Sequence, residues 1–369
     1  MPIRVLVVDD SSFMRKQLSR IISTYPDLEV VGVAEDAASA RDLLKTVNPD
    51  VITLDVQMPG MNGLEFLERL MQKRPMPVVM VSSLTQEGSE TTLKALELGA
   101  VDFISKPRAD TLKEYGQELA EKIRVAKSAH VRTGSPRAKA TIPTTSTQAK
   151  PAGKLLPPAP PRVGTHPVAS SGGKHYPVGP GGGKVIFLGA STGGTEAIKK
   201  VLIGMPANCP PILIVQHMPE TFSSVFAGNL DKVCPAKVVE AQGGEVVEGG
   251  TVYITRGGHH MQVRKEGDRL YTELVQTPPV NGHRPSVDVL FESAAAVMGK
   301  QAVGIILTGM GRDGAQGLLS MRKAGAKTFG QDEASSVVYG MPREAFLLGA
   351  VEEVADIYQI TPKVLSLFR

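Results

Sequence analysis

The sequence has no tryptophan, only two cysteines and just 5% aromatic residues. Each shortage narrows the reading. Without Trp, and with few Phe and Tyr, any core must be built mainly from Val, Ile, Leu, Ala and Met. Two thiols, Cys209 and Cys234, in 369 residues argue against a disulfide framework and fit a reducing compartment. The start, MPIRVLVVDD, lacks a basic segment followed by a long apolar run, so no signal peptide is expected. No apolar run approaches the length needed to cross a bilayer. The expected location is the cytoplasm, with no membrane span.

Acidic residues are missing from one long stretch. Between Lys122 and Thr195 there are eleven Lys or Arg and no Asp or Glu, which leaves 30 basic against 37 acidic residues elsewhere, a balance of −7. The basic pI of 8.9 therefore belongs to one segment. It reads as the solubilising charge of a tether, and no nucleic-acid partner is expected. From about Ala129 to Gly183 apolar periodicity also stops, and Pro, Gly, Ser and Thr dominate (TIPTTSTQAKPAGKLLPPAPPRVG, GPGGGK). The chain divides into 1–125, a basic linker over 126–183, and 184–369, two domains of ordinary size.

What is present before the linker is regular. IRVLVV at 3–8 is a short apolar run typical of a buried parallel strand. Further strands are expected at Glu29–Ala34, Val51–Leu54, Pro77–Ser82 and Val101–Ile104. A helix follows Ser12, and others fall near 36–46, 62–73, 86–97 and 110–126. Five strands alternating with five helices predict a doubly wound parallel sheet, whose ligands bind beyond the carboxyl ends of its strands. Asp9 and Asp10 end the first strand and Asp55 the third. Three converging carboxylates repel one another unless a cation sits between them, and oxygen ligands with room for water suit Mg²⁺. Ser82 ends the fourth strand, and Lys106 follows the fifth. A carboxylate beside a divalent cation and an ammonium is set up to attack a phosphoryl group. Asp9 or Asp10 alone reads more simply as a helix cap; the whole set at successive strand ends does not.

VVDDS, TLDVQMPGMNGLEF, VSS and FISKP together resemble the response-regulator receiver domain over roughly residues 3–125. The resemblance implies that Asp55 accepts a phosphoryl group from a histidine kinase. Asp9, Asp10, Asp55 and the Gln57 backbone carbonyl would hold Mg²⁺, Ser82 and Phe103 would form a switching pair, and Lys106 would contact the phosphoryl group. As a plain core aromatic, Phe103 would look the same.

After the linker, strands are expected at VIFLGAS, Ile212–Val215, Val252–Thr255, Leu270–Val275 and Val303–Leu307. Helices follow Ser191, Thr221, Ser286, Gly314 and Pro342. This predicts a second, Rossmann-like parallel α/β domain with a hairpin inserted; the two halves share a class but no repeat. Gly189–Gly193 fits G-x-S-x-G, in which small flanking residues permit a sharp turn that exposes the serine hydroxyl, here Ser191. The run has neither G-K-[ST] nor G-x-G-x-x-G, so a nucleotide site is disfavoured. A serine nucleophile needs a base and an orienting acid. His217 and Asp313 each follow an apolar strand, as Ser191 does, but spacing alone leaves His259, His260 and His283 as rivals, with His260 or His283 also able to meet substrate. The order Ser, His, Asp differs from that of α/β-hydrolases. Zinc spacings are missing, and no helix-turn-helix with basic recognition residues is evident.

GASTGGTEAI, VQHMP, PSVDVLFESAA and ILTGMGRDGAQGL resemble the catalytic domain of the chemotaxis protein-glutamate methylesterase family, which carries an N-terminal receiver. The resemblance implies Ser191 as nucleophile, His217 as general base, Asp313 as orienting acid, and Thr192 and the Met310 backbone N–H as oxyanion support. It further implies hydrolysis of glutamyl methyl esters and glutamine amides on methyl-accepting receptors, with no cofactor for that step, and control through the receiver. A catalytically inert interaction module is the competing class.

Overall fold

The structure is a computed structural model and describes residues 1–82, 85–107, 112–129 and 183–368. Most of the linker expected over 126–183 lies outside them.

The first domain runs β1 Ile3–Val8, α1 Ser12–Ile22, β2 Leu28–Ala34, α2 Ala37–Leu44, β3 Val51–Asp55, α3 Gly63–Lys73, β4 Val78–Ser82, α4 Gln86–Glu97, β5 Asp102–Ser105 and α5 Leu112–Ser128. Its five strands are parallel in the order β2-β1-β3-β4-β5. β3 and β4 are buried along their whole length, as central strands covered on both faces must be. Asn62 caps α3 by accepting the Glu65 N–H at 2.9 Å. Strand order reverses between β1 and β3, and that crevice is where Asp9, Asp10 and Asp55 emerge.

The second domain runs β6 Val185–Ala190, α6 Gly194–Ile203, β7 Ile212–Gln216, α7 Glu220–Asp231, β8 Lys237–Glu240, β9 Thr251–Ile254, β10 His260–Glu266, β11 Arg269–Val275, α8 Val287–Met298, β12 Ala302–Ile306, α9 Ala315–Lys323, β13 Lys327–Gln331, α10 Met341–Leu347, β14 Glu353–Ala355 and α11 Ile357–Ser366. Seven parallel strands lie in the order β14-β13-β12-β6-β7-β9-β8. The reversal falls between β6 and β12, so Ser191 and the Gly309–Met310 turn leave the sheet side by side. The expected hairpin is β10–β11, a separate antiparallel pair running from His260↔Val275 to Glu266↔Arg269. The sequence pattern marked only its second strand. It also passed over β8, β13, β14 and α11. β13 reads KTFGQ and β14 is three residues long; neither offers a continuous apolar run, and the sheet makes them strands.

α8 packs on β6 where Gly189 leaves room. A Cβ on Gly189 would stand 2.2 Å from Val287 Cγ1, an overlap that a stiff β-branched side chain relieves poorly. Gly189→Ala is expected to lower unfolding stability by about 1–3 kcal/mol, read as a fall in the denaturant midpoint of the second domain. Adding Val287→Ala should recover part of it; no recovery would mean the strain arises elsewhere.

Candidate functional site

In the first domain, one carboxylate oxygen from each of Asp9, Asp10 and Asp55 lies within 4.8 Å of the others. Lys106 Nζ donates to Asp55 Oδ2 at 2.8 Å and stands 3.5 Å from Asp9 Oδ2, yet that Asp9 oxygen is buried without a hydrogen bond. Burial, followed by the Asp55 charge, raises the Asp9 carboxyl above its ordinary range. Burial likewise raises Asp55, against the pull of the Lys106 hydrogen bond. For Lys106, burial opposes the charge, but Asp55 and Asp9 outweigh it and hold the ammonium above its usual value. Three carboxylates against one ammonium, with a buried oxygen left over, fit a small hard cation. The Gln57 N–H donates to Asp55 Oδ1 at 3.3 Å, which puts Gln57 at the rim. Ser82 Oγ is bonded to α4, accepting from Thr92 Oγ1 at 2.7 Å and donating to the Gly88 carbonyl at 3.3 Å.

In the second domain Ser191 is held by its backbone. Its N–H donates to the Thr308 carbonyl at 3.0 Å. Its own carbonyl accepts from the Gly194 N–H at 2.7 Å and from Gln216 Nε2 at 2.9 Å. Gly193 has φ of 76° before the first turn of α6, a conformation glycine adopts without strain. Gly309 passes so close that a Cβ there would lie 2.8 Å from Ser191 Cβ, and Met310 follows it.

His217, just past β7, meets Asp313 through Nε2···Oδ2 at 2.8 Å. Asp313 is buried and also accepts from Ser286 Oγ at 2.7 Å, Asn281 Nδ2 at 2.9 Å and the Val287 N–H at 2.6 Å. Burial pushes this carboxyl upward, but His217, Asn281 and Ser286 outweigh it and hold it well below the usual carboxylate range. An ionised Asp313 only accepts hydrogen bonds, so His217 carries its proton on Nε2. Nδ1 is then the basic nitrogen; it is buried and has no partner. Of the rivals, His260 is occupied on both nitrogens, by the Pro278 carbonyl and the Ser286 N–H. His259 Nδ1 lies 3.2 Å from the Gly257 carbonyl. His283 stacks on His217.

The first domain forms the far wall of this site. Ser191, Thr192, His217 and His283 line a cleft of about 620 Å³ together with Asp102, Phe103 and Lys122. Thr192 Oγ1 donates to Asp102 Oδ2 at 2.5 Å, and Lys122 Nζ sits 3.1 Å from Asp102 Oδ1. The Phe103 ring stacks on Phe222 with centroids 4.4 Å apart. α4 packs against α6 and α7, with Lys199 paired to Glu97 at 2.5 Å. Asn281, Ser286, Gln216, Asp102 and Lys122 escaped sequence reasoning. Ser286 entered the sequence reading only as the residue a helix follows, whereas its hydroxyl serves Asp313; the others are single polar residues with no spacing rule to flag them.

Residues 186–364 match the CheB methylesterase family, and residues 5–115 match the response regulator receiver domain family. The protein-glutamate methylesterase/protein-glutamine glutaminase 1 of Dechloromonas aromatica is 58% identical over 374 residues, covering 99% of both chains. The protein-glutamate methylesterase/protein-glutamine glutaminase of Thiobacillus denitrificans is 50% identical, covering all of this chain and 97% of its own. Among solved structures, the Thermotoga maritima CheB methylesterase catalytic domain covers 50% of this chain and 99% of its own, at 34% identity and a TM-score of 0.50. No helix among the described residues is long and apolar enough to cross a membrane. A receiver with an acidic pocket is followed by a parallel sheet that sets Ser191 and His217 in one cleft with Asp313 bonded behind His217, and relatives of 50–58% identity match over nearly the whole length: the chain belongs to the CheB methylesterase family.

Proposed function

We propose that this protein removes methyl esters from glutamate side chains of methyl-accepting chemotaxis receptors and deamidates specific receptor glutamines, in the cytoplasm, under control of its own phosphorylation. The observation that carries this reading is Ser191 and His217 in one cleft whose far wall is the receiver, with Asp313 hydrogen-bonded behind His217. Full-length relatives named for both activities support the choice of substrate.

In this mechanism Ser191 Oγ attacks the γ-carbonyl of the glutamyl ester while His217 Nδ1 takes the hydroxyl proton. Asp313 holds the Nε2 side and stabilises the imidazolium. The negative charge on the carbonyl oxygen is met at the strand-end turns, by Thr192 and the Met310 N–H. The C–O bond to methanol breaks as His217 returns the proton to it. Water, deprotonated by His217, then attacks the acyl-enzyme, releasing a glutamate carboxylate and restoring the serine. A glutamine amide follows the same steps with ammonia leaving.

Asp55 is the phosphoryl acceptor, and a histidine kinase is the donor. Asp9, Asp10, Asp55 and the Gln57 carbonyl would hold Mg²⁺, which would supply neutralisation of the phosphoryl oxygens; the buried Asp9 oxygen without a hydrogen bond supports this assignment. Lys106 would contact the phosphoryl group, with Ser82 and Phe103 as the switching pair. Domain limits of 1–125 and 184–369, with a tether between, go with this division of labour.

Ser191→Ala should abolish methanol release from methylated receptor membranes, a loss of several orders of magnitude, while Asp55→Asn should leave basal release intact and erase the increase produced by a small phosphodonor with Mg²⁺. Methanol release from Ser191→Ala at the parent rate would remove the serine mechanism.

Release of the receiver is testable at Asp102. Its charge-assisted hydrogen bond to Thr192 helps hold the cleft shut. Weakening it by about 1–2 kcal/mol shifts the closed-to-open ratio by a factor of about 5–30. Asp102→Asn should therefore raise basal release several-fold without phosphodonor and change the fully phosphorylated rate little. Basal release at or below the parent's would count against this contact as a closure.

A further inference from the structure

We infer that His283 is a positioning residue for the base: its flat ring fixes the plane of the His217 imidazole, so that Nε2 stays on Asp313 and Nδ1 stays free for the serine. The inference rests on the serine mechanism proposed above and assigns His283 a role within it.

The reason is geometric. His217 makes one ring hydrogen bond, Nε2 to Asp313, and Nδ1 has no partner. A single hydrogen bond fixes a distance but lets the ring pivot about its own axis. The His283 ring lies 3.8 Å from that of His217, centroid to centroid, at 16°. Near-parallel contact at that spacing blocks the pivot. His283 is itself held. Its N–H and carbonyl exchange hydrogen bonds with Val280 at 2.9 and 3.0 Å. Between them, Asn281 Nδ2 donates to both Asp313 Oδ1 at 2.9 Å and Asp288 Oδ2 at 2.7 Å. The loop that carries the stacking ring is thus tied to the same carboxylate that orients the base.

Charge agrees with this role. The charged or titratable groups around His283 are His217, Asp313 and, from the receiver, Lys122. Burial first, then His217, pushes the His283 imidazole down to about 4, with Asp313 pulling the other way. The ring is therefore uncharged at neutral pH, and its face can lie against the imidazolium that forms on His217 without repelling it.

The test is methanol release from methylated receptor membranes by the full chain with phosphodonor and Mg²⁺, comparing His283→Phe, His283→Gln and His283→Ala. Phe keeps a flat uncharged ring; Gln keeps hydrogen bonding without the stack. Phe should hold kcat within about 3-fold of the parent, while Gln and Ala should lose about 10–100-fold in kcat with KM little changed. Ala at the parent rate, or Gln active where Phe is not, overturns the inference. A second arm uses ¹⁵N spectra of the histidine rings in a Ser191→Ala background, where no chemistry occurs. The Nε2–H signature of His217 should persist with His or Phe at position 283 and average between tautomers with Ala; its persistence in Ala overturns the inference. If the parent chain releases no methanol, the serine mechanism fails, and this arm still decides the role of His283.

Discussion

A single buried carboxylate, Asp313, organises the second domain. It is stable as an anion only because donors surround it. They come from β7's exit (His217), the 280–285 loop (Asn281) and the start of α8 (Ser286 and the Val287 N–H). Hydrogen bonds to charged groups contribute about 1.5–3 kcal/mol each, and a buried anion without them costs far more than it returns. The arrangement is also local structure. Ser286 places no side-chain cap on α8, and Asp313, just beyond the end of β12, takes that part at the positive end of the helix. α8 in turn seats Val287 over Gly189, one residue before the turn into Ser191. Charge, helix and serine turn are consequently one construction.

The same topology serves both halves. In each sheet the strand order reverses next to the chemistry, between β1 and β3 and between β6 and β12, which opens a crevice at the strand ends. The receiver does not present its acidic crevice to the partner domain. It offers the flank made by α4, β5 and α5, and β5 connects the two. Phe103 on β5 stacks on Phe222 across the interface, while Lys106, three residues on, reaches Asp55.

Much of this was legible in the sequence because it obeys simple periodicities. Short apolar runs ending in Asp, Ser or His are strands delivering side chains to an edge, so Asp9, Asp55, Ser191, His217 and Asp313 could each be set at a strand end. Pairing was harder. Four histidines competed on spacing, and only the fold shows that His260 is tied to Pro278 and Ser286 while His217 faces Asp313. β13 and β14 were invisible because their strand character is imposed by neighbours. Asp102 and Lys122 were invisible for a different reason. Their significance is a contact between domains, and an Asp–Lys pair with a threonine at its side leaves no pattern along one chain.

The contacts across the interface are individually modest. To move from 1:99 to 99:1, a switch must change the balance between states by about 5.5 kcal/mol. An aromatic stack contributes about 0.5–1.5 kcal/mol beyond burial, a charge-assisted hydrogen bond about 1.5–3, and a partly exposed pair such as Lys199–Glu97 about 0–1. Those polar and aromatic contacts are of that order, and the apolar packing of α4 on α6 and α7 adds to them. Asp102 is also costly to bury except beside Lys122 and Thr192, so opening loses a bond to Thr192 but regains hydration for the carboxylate. A change at Asp55 therefore need not pull the domains apart by force. Shifting β5 spoils the Phe103 stack and the Asp102 bond together, two of the contacts that hold the cleft closed.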